Sequence, residues 1–442
     1  MGILLKNTQL VNEGSITELD LLIEDKIIKK IASSISTKNH TVIDFNGNFL
    51  LPGVIDDQVH FREPGLTEKA TIYSESRAAV AGGITSFMEM PNTKPPVLTQ
   101  KLLQDKFKIA QQNSLANYSF FMGVSNENIE EVLKTDFKKV PGLKIFMGSS
   151  TGNMLVDDFS VLNNIFSKTD GLIAVHCEDE NTIRKNNLLA KKKYGLNVPI
   201  SQHPIIRSHQ ACFKSSSLAV DLAKKHSTRL HVLHISTAEE VGLFCNKSPL
   251  KEKKITAEVC IHHLSFNDND YEKKGALIKW NPAVKTVQDQ STLWEALLNN
   301  HIDVIATDHA PHTIKEKQNL YFSCPSGAPM VQHALPMMLE HVMNEKISLE
   351  KVVEKMAHAP AICFKIKNRG FIREGYFADL VGVEKKAWEV KKDNLLYKCN
   401  WSPLEGEKLN FKISHTFVNG HLVYENGIVK NNGNGVALSF NN

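Results

Sequence analysis

Short apolar runs alternate with longer amphipathic stretches through the middle of the chain. This order is typical of strand–helix units that build a parallel sheet. Eight apolar runs are predicted as strands, at residues 51–55, 84–88, 118–122, 143–147, 172–175, 229–233, 255–259 and 304–307. Eight is the number that a closed (β/α)8 TIM barrel needs. A doubly wound open sheet is the alternative, but no Gly-rich phosphate-binding fingerprint follows the first predicted strand.

The two ends of the chain show a different pattern, in which apolar and polar positions alternate between turn signals. Turn residues interrupt the alternation at 12–14 and 24–26, and Asn419-Gly420 does so near the other end. This pattern predicts short antiparallel strands. We therefore expect a small β-sandwich domain formed by residues 1–50 and 366–442, around an α/β barrel domain of residues 51–365.

Composition narrows the class of protein without pointing to a reaction. The 442 residues carry a net charge of only +4, which gives no reason to expect nucleic-acid or membrane binding. The seven cysteines are scattered and form no CxxC pair, which favours a reducing compartment. No signal peptide and no apolar run of membrane-spanning length is found, so we expect a cytoplasmic protein.

Residues that can bind a metal lie at or near the ends of five of the eight predicted strands. Barrel active sites form at the carboxyl ends of the strands, so these side chains are expected to meet. Any one of them alone is weak evidence, but imidazole and carboxylate ligands together suit a borderline cation such as zinc. Zinc would acidify a bound water towards neutral pH. The five candidates are His60, Lys144, His176, His234 and Asp308.

The first of these strand ends also carries a candidate anion-binding residue. Arg62 follows His60 by two residues, so both side chains face the same way on an extended chain. A guanidinium can bind a carboxylate or a phosphate through two hydrogen bonds. Gln58, two residues before His60, offers only an amide oxygen, which is a poorer zinc ligand than imidazole.

Five segments together carry a resemblance to one enzyme family. They are residues 57–65, 90–93, 176–179, 281–282 and 307–313, and they include Arg-Glu-Pro-Gly, Met-Pro-Asn-Thr and Asp-His-Ala-Pro-His-Thr. These motifs closely resemble those of the dihydroorotases, amidohydrolase-superfamily enzymes of pyrimidine biosynthesis, and the likeness covers nearly the whole chain. The resemblance implies zinc-dependent, reversible cyclisation of N-carbamoyl-L-aspartate to (S)-dihydroorotate. It also implies a homodimer.

The resemblance implies a role for each matched residue. His60 would bind a first metal, with Asp308 beside it as metal ligand and catalytic proton-transfer group, and His176 and His234 would bind a second metal. Lys144 aligns with a lysine that some dihydroorotases carry in N-carboxylated form, as a bridge between metals. The residues implied to bind substrate are Arg62, Asn92, Asn281 and His312. For His262 and His263, a structural or supporting role is at least as well favoured as a direct one.

Gln58 is the one departure from the family pattern, which usually has histidine there. It leaves open whether the protein binds one zinc ion or two, with Gln58 itself the weakest of the implied ligands. Dihydropyrimidinase and allantoinase are the rivals in the same chemistry, but their substrates lack the ring carboxylate that Arg62 and Asn92 would bind. A catalytically inactive relative with an assembly role is the rival from another class, and Gln58 is the feature in its favour.

Overall fold

The computed structural model describes residues 2–148 and 154–441 of the chain. The strands, in chain order, are β1 (Ile3–Asn12), β2 (Ser15–Glu24), β3 (Ile27–Ala32), β4 (Thr41–Asp44), β5 (Phe49–Pro52), β6 (Val54–Val59), β7 (Ile84–Glu89), β8 (Asn117–Phe120), β9 (Met122–Gly123), β10 (Leu143–Phe146), β11 (Leu172–His176), β12 (Arg229–Val232), β13 (Ile255–Cys260), β14 (Val304–Ala306), β15 (Leu380–Glu389), β16 (Lys408–Val418), β17 (His421–Glu425) and β18 (Ile428–Val429).

Helices follow most of the barrel strands. They are α1 (Ile72–Ala81), α2 (Gln100–Asn113), α3 (Ile129–Val132), α4 (Phe159–Lys168), α5 (Glu180–Tyr194), α6 (His203–Ile206), α7 (His209–His226), α8 (Ala238–Val241), α9 (Ile261–Ser265), α10 (Tyr271–Lys274), α11 (Val287–Leu298), α12 (Ile314–Lys317), α13 (Ala334–Met343), α14 (Leu349–Val353) and α15 (Ala359–Cys363). Single 3₁₀ turns cover Ile200–Gln202, Leu250–Glu252, Asp268–Asp270, Gly275–Ile278 and Lys392–Asn394, and a π-helical turn covers Glu354–His358. None of the helices in the described ranges is long and apolar enough to cross a membrane.

Strands β6 to β14 form the predicted barrel. Parallel pairing joins β6, β7 and β8 in one sheet and β9 to β14 in another. Phe121 divides the third predicted strand into β8 and β9. The barrel closes where Val59, at the end of β6, forms a parallel bridge to His309, just after β14. The backbone N–H of His60 donates to the carbonyl of His309 at 2.7 Å, and the prediction of a (β/α)8 barrel is confirmed.

The first predicted strand is divided at Gly53. Strand β5 ends at Pro52 and pairs with β15 of the terminal sheet, whereas β6 begins at Val54 and pairs with β7. A Cβ atom at position 53 would lie 2.1 Å from Thr85 Oγ1, so only glycine allows this close approach to β7. The apolar run therefore serves two sheets, which its hydrophobicity alone could not reveal.

An apolar cluster closes the barrel at the amino ends of its strands. Ile55 and Val304 lie near the starts of β6 and β14 and pack in one cluster with Ala359 and Phe364, from and just after α15. All four side chains are at most 1% exposed. Apolar side chains therefore fill much of this end of the barrel.

Strands from both termini form one mostly antiparallel sheet. Its order is β18-β17-β16-β15-β5-β1-β2-β3, with β4 paired in parallel to β1. Its core contains Leu5, Leu21, Leu50, Leu380 and Phe417. The β domain is therefore built from both ends of the chain, as the alternating patterns predicted.

A buried ion pair joins the terminal sheet to the barrel. Arg369 and Asp379 form this pair, and both side chains are at most 3% exposed. The Asp379 carboxylate also accepts from the side-chain amide of Asn117, on β8, at 3.2 Å, and from the backbone N–H of Asn419 at 2.8 Å. Asp379 thus connects three separate parts of the chain.

We predict that Asp379→Ala lowers the free energy of unfolding by about 3–5 kcal/mol, because it leaves the buried Arg369 guanidinium without its partner. The measurement is chemical denaturation followed by circular dichroism. Asp105→Ala is the matched control, because it removes an exposed carboxylate on α2 that pairs with Lys101; it should leave the unfolding transition nearly unchanged. Equal effects of the two substitutions would contradict the role given to Asp379.

Candidate metal and substrate site

A cavity of about 280 Å³ opens at the carboxyl ends of the barrel strands. Nine of the ten sequence-predicted site residues line it, and the tenth, Lys144, is fully buried. The lining residues are Gln58, His60, Arg62, Asn92, Phe146, His176, Arg207, His234, Asn281, Asp308, Ala310, His312, Pro325, Ser326 and Gly327.

His60 and Asp308 form the first pair of candidate metal ligands. The His60 Nε2 atom lies 3.1 Å from Asp308 Oδ1, and the other ring nitrogen of His60 contacts Asn92 Oδ1 at 2.7 Å. The side-chain amide nitrogen of Gln58 donates to the same Asp308 oxygen at 3.3 Å. Burial lowers the pKa of His60, so its imidazole is neutral near pH 7, the form that binds a cation.

His176 and His234 form the second pair. The His176 Nδ1 atom lies 2.9 Å from His234 Nε2, so two ring nitrogens converge on one point. Burial lowers the pKa of both imidazoles, and for His234 the neighbouring His176 and Lys144 lower it further. Both rings are therefore neutral near pH 7.

Sequence reasoning missed the two residues that support His176. Glu178 Oε2 lies 3.1 Å from His176 Nε2 and also pairs with Arg207. Burial opposes ionisation of Glu178, but Arg207 and His176 together lower its pKa to about 2. Glu178 is two residues after His176, a spacing that could have suggested it; Arg207 follows α6, outside every strand end, and no sequence signal marked it.

Lys144 lies on β10, the strand that pairs with β11, which ends at His176. Its side chain is 0% exposed, and within the described part of the chain Nζ has no hydrogen-bond partner. Burial lowers the pKa of this amine to about 7, although Glu258 and Asp308 oppose the shift. An amine that is about half uncharged at neutral pH, and whose Nζ has no hydrogen-bond partner among the described residues, fits the predicted N-carboxylation, because CO₂ reacts with the neutral form.

Arg62 gives one side of the cavity a positive charge, and His312 lies beside it. Arg62 Nε donates to the carbonyl of Pro311 at 3.0 Å, and its Nη2 lies 3.0 Å from His312 Nε2. Burial lowers the pKa of Arg62 only to about 10, so the guanidinium stays charged at neutral pH. Lys69, which the sequence did not single out, contacts His312 Nδ1 at 3.0 Å.

Asn281 reaches the cavity, whereas the adjacent residues His262 and His263 do not. Asn281 lines the cavity, and its side-chain oxygen has no hydrogen-bond partner among the described residues. His262 stacks on Trp280 with ring centroids 4.1 Å apart, and His263 Nε2 lies 3.2 Å from the carbonyl of Pro282. Neither histidine lines the cavity, which favours a supporting role for both.

Three residues of the cavity have backbone conformations that residues other than glycine rarely adopt. The φ angles are +68° at Arg62, +41° at His234 and +44° at Asp308. Each such backbone conformation costs about 1–3 kcal/mol of folding free energy, and residues that adopt one cluster at functional sites. The surrounding structure therefore holds these three side chains in place against a local preference.

The donor set fits a divalent cation. Two convergent pairs of ligand atoms, from three neutral imidazoles and one carboxylate, line the cavity, and the buried Lys144 has no hydrogen-bond partner for Nζ among the described residues. Nitrogen and oxygen donors of this kind suit zinc and its neighbours. The residues thus form a candidate metal site with an anion-binding side.

The chain matches a protein-family model described as the amidohydrolase family over residues 49–423. A dihydroorotase from Methanosphaera stadtmanae is 32% identical over 410 residues, covering 91% of this chain and 92% of that protein. A dihydroorotase from Pyrococcus abyssi is 36% identical over 383 residues, covering 86% and 84%. An L-hydantoinase (dihydropyrimidinase) structure from Arthrobacter aurescens matches with a TM-score of 0.92 and 28% identity over 97% of both chains.

We predict that Glu178→Gln weakens metal binding by about 10–100-fold, because the neutral amide no longer orients and polarises His176. The measurement is competition with a chromogenic chelator. Glu239→Gln, which changes an exposed carboxylate in the first turn of α8, is the control and should bind metal like the wild type. Unchanged affinity in Glu178→Gln would remove Glu178 from the metal site.

We also predict that Lys144 takes up CO₂ in a pH-dependent way. The neutral fraction of an amine with a pKa of about 7 rises from roughly a tenth at about pH 6 to roughly nine tenths at about pH 8. At a fixed partial pressure of ¹³CO₂, a carbamate signal in the ¹³C NMR spectrum should grow over this range. Lys144→Met should show none; an equal signal in that variant would assign the carbamate to another amine.

Proposed function

The chain belongs to the amidohydrolase family, and we propose that it is a dihydroorotase. It would interconvert N-carbamoyl-L-aspartate and (S)-dihydroorotate plus water, in the third step of pyrimidine biosynthesis. The observation that carries the proposal is the charged Arg62 guanidinium, 3.0 Å from His312, in the same cavity as the two pairs of candidate metal ligands. A substrate that is a cyclic amide and also carries a carboxylate needs the metal ligands and the positive charge in one cavity.

The substrate carboxylate would bind to the cationic side of the cavity. Arg62 offers a planar guanidinium that can donate two parallel hydrogen bonds to it. Asn92 contacts His60 through its oxygen, and its amide nitrogen is the group that can donate to an anion. His312 would line the carboxylate on the same side, with its Nδ1 atom held by Lys69 at 3.0 Å. These contacts would hold the ring with its scissile amide towards the two pairs of candidate metal ligands.

Zinc ions, one or two per subunit, would be held by His60 and Asp308 and by His176, His234 and carboxylated Lys144, and would supply Lewis acidity at the carbonyl under attack. Gln58 donates to Asp308 in this structure, so its amide nitrogen, not its oxygen, faces that carboxylate. This orientation supports a first site that relies on His60 and Asp308.

Asp308 would move the proton. Its Oδ1 atom is engaged by His60 and Gln58, which leaves Oδ2 as the proton-accepting oxygen. In hydrolysis, Oδ2 takes a proton from the attacking water and gives it to the departing amide nitrogen. In cyclisation the order is reversed: the ureido nitrogen gives its proton to Oδ2 as it attacks the side-chain carboxyl carbon, and the proton leaves with the expelled water.

A hydantoinase-type activity is the second candidate, because the fold agrees with the Arthrobacter aurescens structure at a TM-score of 0.92. Hydantoin and dihydrouracil carry no ring carboxylate, so they would leave the charge of Arg62 without a carboxylate to balance it. An unpaired buried charge discriminates strongly against such substrates. The third candidate, an inactive relative, would have no use for Asp308 and Arg62 held at strained backbone angles.

The remaining expectations concern location and assembly. All seven cysteines are free, which supports a reducing compartment such as the cytoplasm. The substrate is a small molecule, and the proposal includes no nucleic-acid or membrane partner. The homodimer stays a prediction, and sedimentation of the purified protein would test it.

We predict that the purified, zinc-loaded protein turns over dihydroorotate and N-carbamoyl-L-aspartate, and that hydantoin, dihydrouracil and allantoin are poor substrates. Arg62→Met should lower kcat/KM for dihydroorotate by about 100-fold, mainly through KM, and Asp308→Asn should lower kcat by about 10²–10⁴-fold. Metal content is measured on each variant, because Asp308 is also a candidate ligand. Arg62→Lys keeps the charge and should recover part of the binding.

Turnover of dihydrouracil in preference to dihydroorotate would replace the proposal with the hydantoinase-type candidate. Absence of any turnover together with absence of stoichiometric metal would favour the inactive relative. Normal turnover by Asp308→Asn would overturn the proton-transfer role while leaving the substrate assignment standing.

A further inference from the structure

A second group of ionisable side chains lies inside the barrel, outside the cavity lining. It consists of Asp57 on β6, His231 on β12 and Glu258 on β13, and all three residues are 0% exposed. One potential ligand atom from each lies within 4.8 Å of the others. His231 Nε2 is 3.1 Å from Asp57 Oδ2 and 3.7 Å from Glu258 Oε2.

The atoms that face each other in this group are not satisfied by the surrounding protein. Within the described ranges, both oxygens of Asp57, Nε2 of His231 and Oε2 of Glu258 have no hydrogen-bond partner. A fully buried polar atom without a partner is costly, and a buried carboxylate more so. Because one atom from each of the three residues lies within 4.8 Å of the others, a single cation bound between them would satisfy all three residues.

The opposite ends of His231 and Glu258 are anchored. Thr256 Oγ1 donates to the carbonyl of Leu230 at 3.3 Å, so at its 2.7 Å contact with His231 it accepts from Nδ1–H. Nε2 of His231 therefore faces the two carboxylates. Burial opposes the imidazolium form, but Asp57 and Glu258 raise the pKa of His231 to about 9, so Nε2 carries a proton unless a cation takes its place. Glu258 Oε1 accepts from the backbone N–H of His234 at 3.0 Å, which leaves Oε2 to face the group. Metal-binding residues are commonly oriented in this way.

A lone pair directed at two carboxylates is repulsive unless a positive charge lies between them. One proton on Nε2 could form one hydrogen bond and would leave most of the carboxylate oxygens bare. A cation bound at about 2.0–2.2 Å from each ligand atom would be coordinated by Nε2 and by both carboxylates. Neighbouring ligand atoms around such a cation lie roughly 3–3.5 Å apart. The two measured separations from Nε2 lie close to this range.

We propose that Asp57, His231 and Glu258 bind a divalent transition-metal cation inside the barrel, separate from the candidate metals of the cavity. One imidazole and two carboxylates suit Zn²⁺, Mn²⁺ or Fe²⁺. Two carboxylates and a neutral imidazole together carry a charge of −2, which balances the charge of a divalent ion. Because the site is closed to solvent, the ion enters during folding and exchanges slowly in the native protein. It joins β6 to β12 and β13 and stabilises the fold.

The test uses the full-length His60→Ala/His176→Ala double variant, in which the metals of the cavity are weakened or lost. The protein is refolded with Zn²⁺, Mn²⁺ or Fe²⁺, treated with a chelator under native conditions, and analysed for metal. We expect about one equivalent that withstands the chelator and is released on unfolding. Crystals of the wild type should show an anomalous-scattering peak between Asp57 and His231.

Two adjacent buried carboxylates provide a matched pair of variants. In this background Asp57→Asn should lose the chelator-resistant ion, whereas Asp56→Asn should keep it, because Asp56 bonds Thr307 and not the proposed site. If Asp57→Asn does not fold, Glu258→Gln and the anomalous map of the wild type give the same decision. Absence of a peak, with no resistant metal from any of the three ions, overturns the proposal in favour of an imidazolium bonded to a carboxylate.

Discussion

The functional site depends on the contact that closes the barrel. The backbone N–H of His60 donates to the carbonyl of His309 at 2.7 Å, which fixes the end of the first barrel strand against the end of the last. This register places His60 beside Asp308 and, two residues further on, brings Arg62 to His312. One backbone hydrogen bond thus aligns a candidate metal pair and a candidate anion pair in the same seam. Around it, Asp56 accepts from Thr307, and His309 pairs with the buried Glu75, so the seam is held by side chains as well.

Burial gives these side chains their chemistry. Removal from water lowers the pKa of His60, His176 and His234, so neutral imidazoles are available as ligands near pH 7. The same effect lowers the pKa of the Lys144 amine to about 7. Glu178 stays ionised in the same surroundings because Arg207 and His176 stabilise its charge. Desolvation and a small number of specific partners therefore separate groups that stay neutral from groups that stay charged.

Much of this arrangement follows from the sequence, for a physical reason. Parallel strands end at one edge, so residues at the ends of predicted strands, such as His60, His176 and Asp308, had to meet. The division of the first strand at Gly53 was not predictable, because it depends on contact with Thr85. Lys69 and Arg207 were missed because they lie on segments outside the strands, whose positions are set by tertiary packing. Asp57 gave no signal because only the folded barrel brings it to His231 and Glu258.

One cavity is proposed to bind a carboxylate on its Arg62 side and to present the scissile amide to the ligands on its other side. The decisive measurement is a crystal structure of the zinc-loaded protein with dihydroorotate bound. We expect the carboxylate within hydrogen-bond distance of Arg62 and His312, with the ring amide directed towards Asp308 and the His176–His234 pair. A ring bound with its carboxylate away from Arg62, towards the histidine pair, would contradict it.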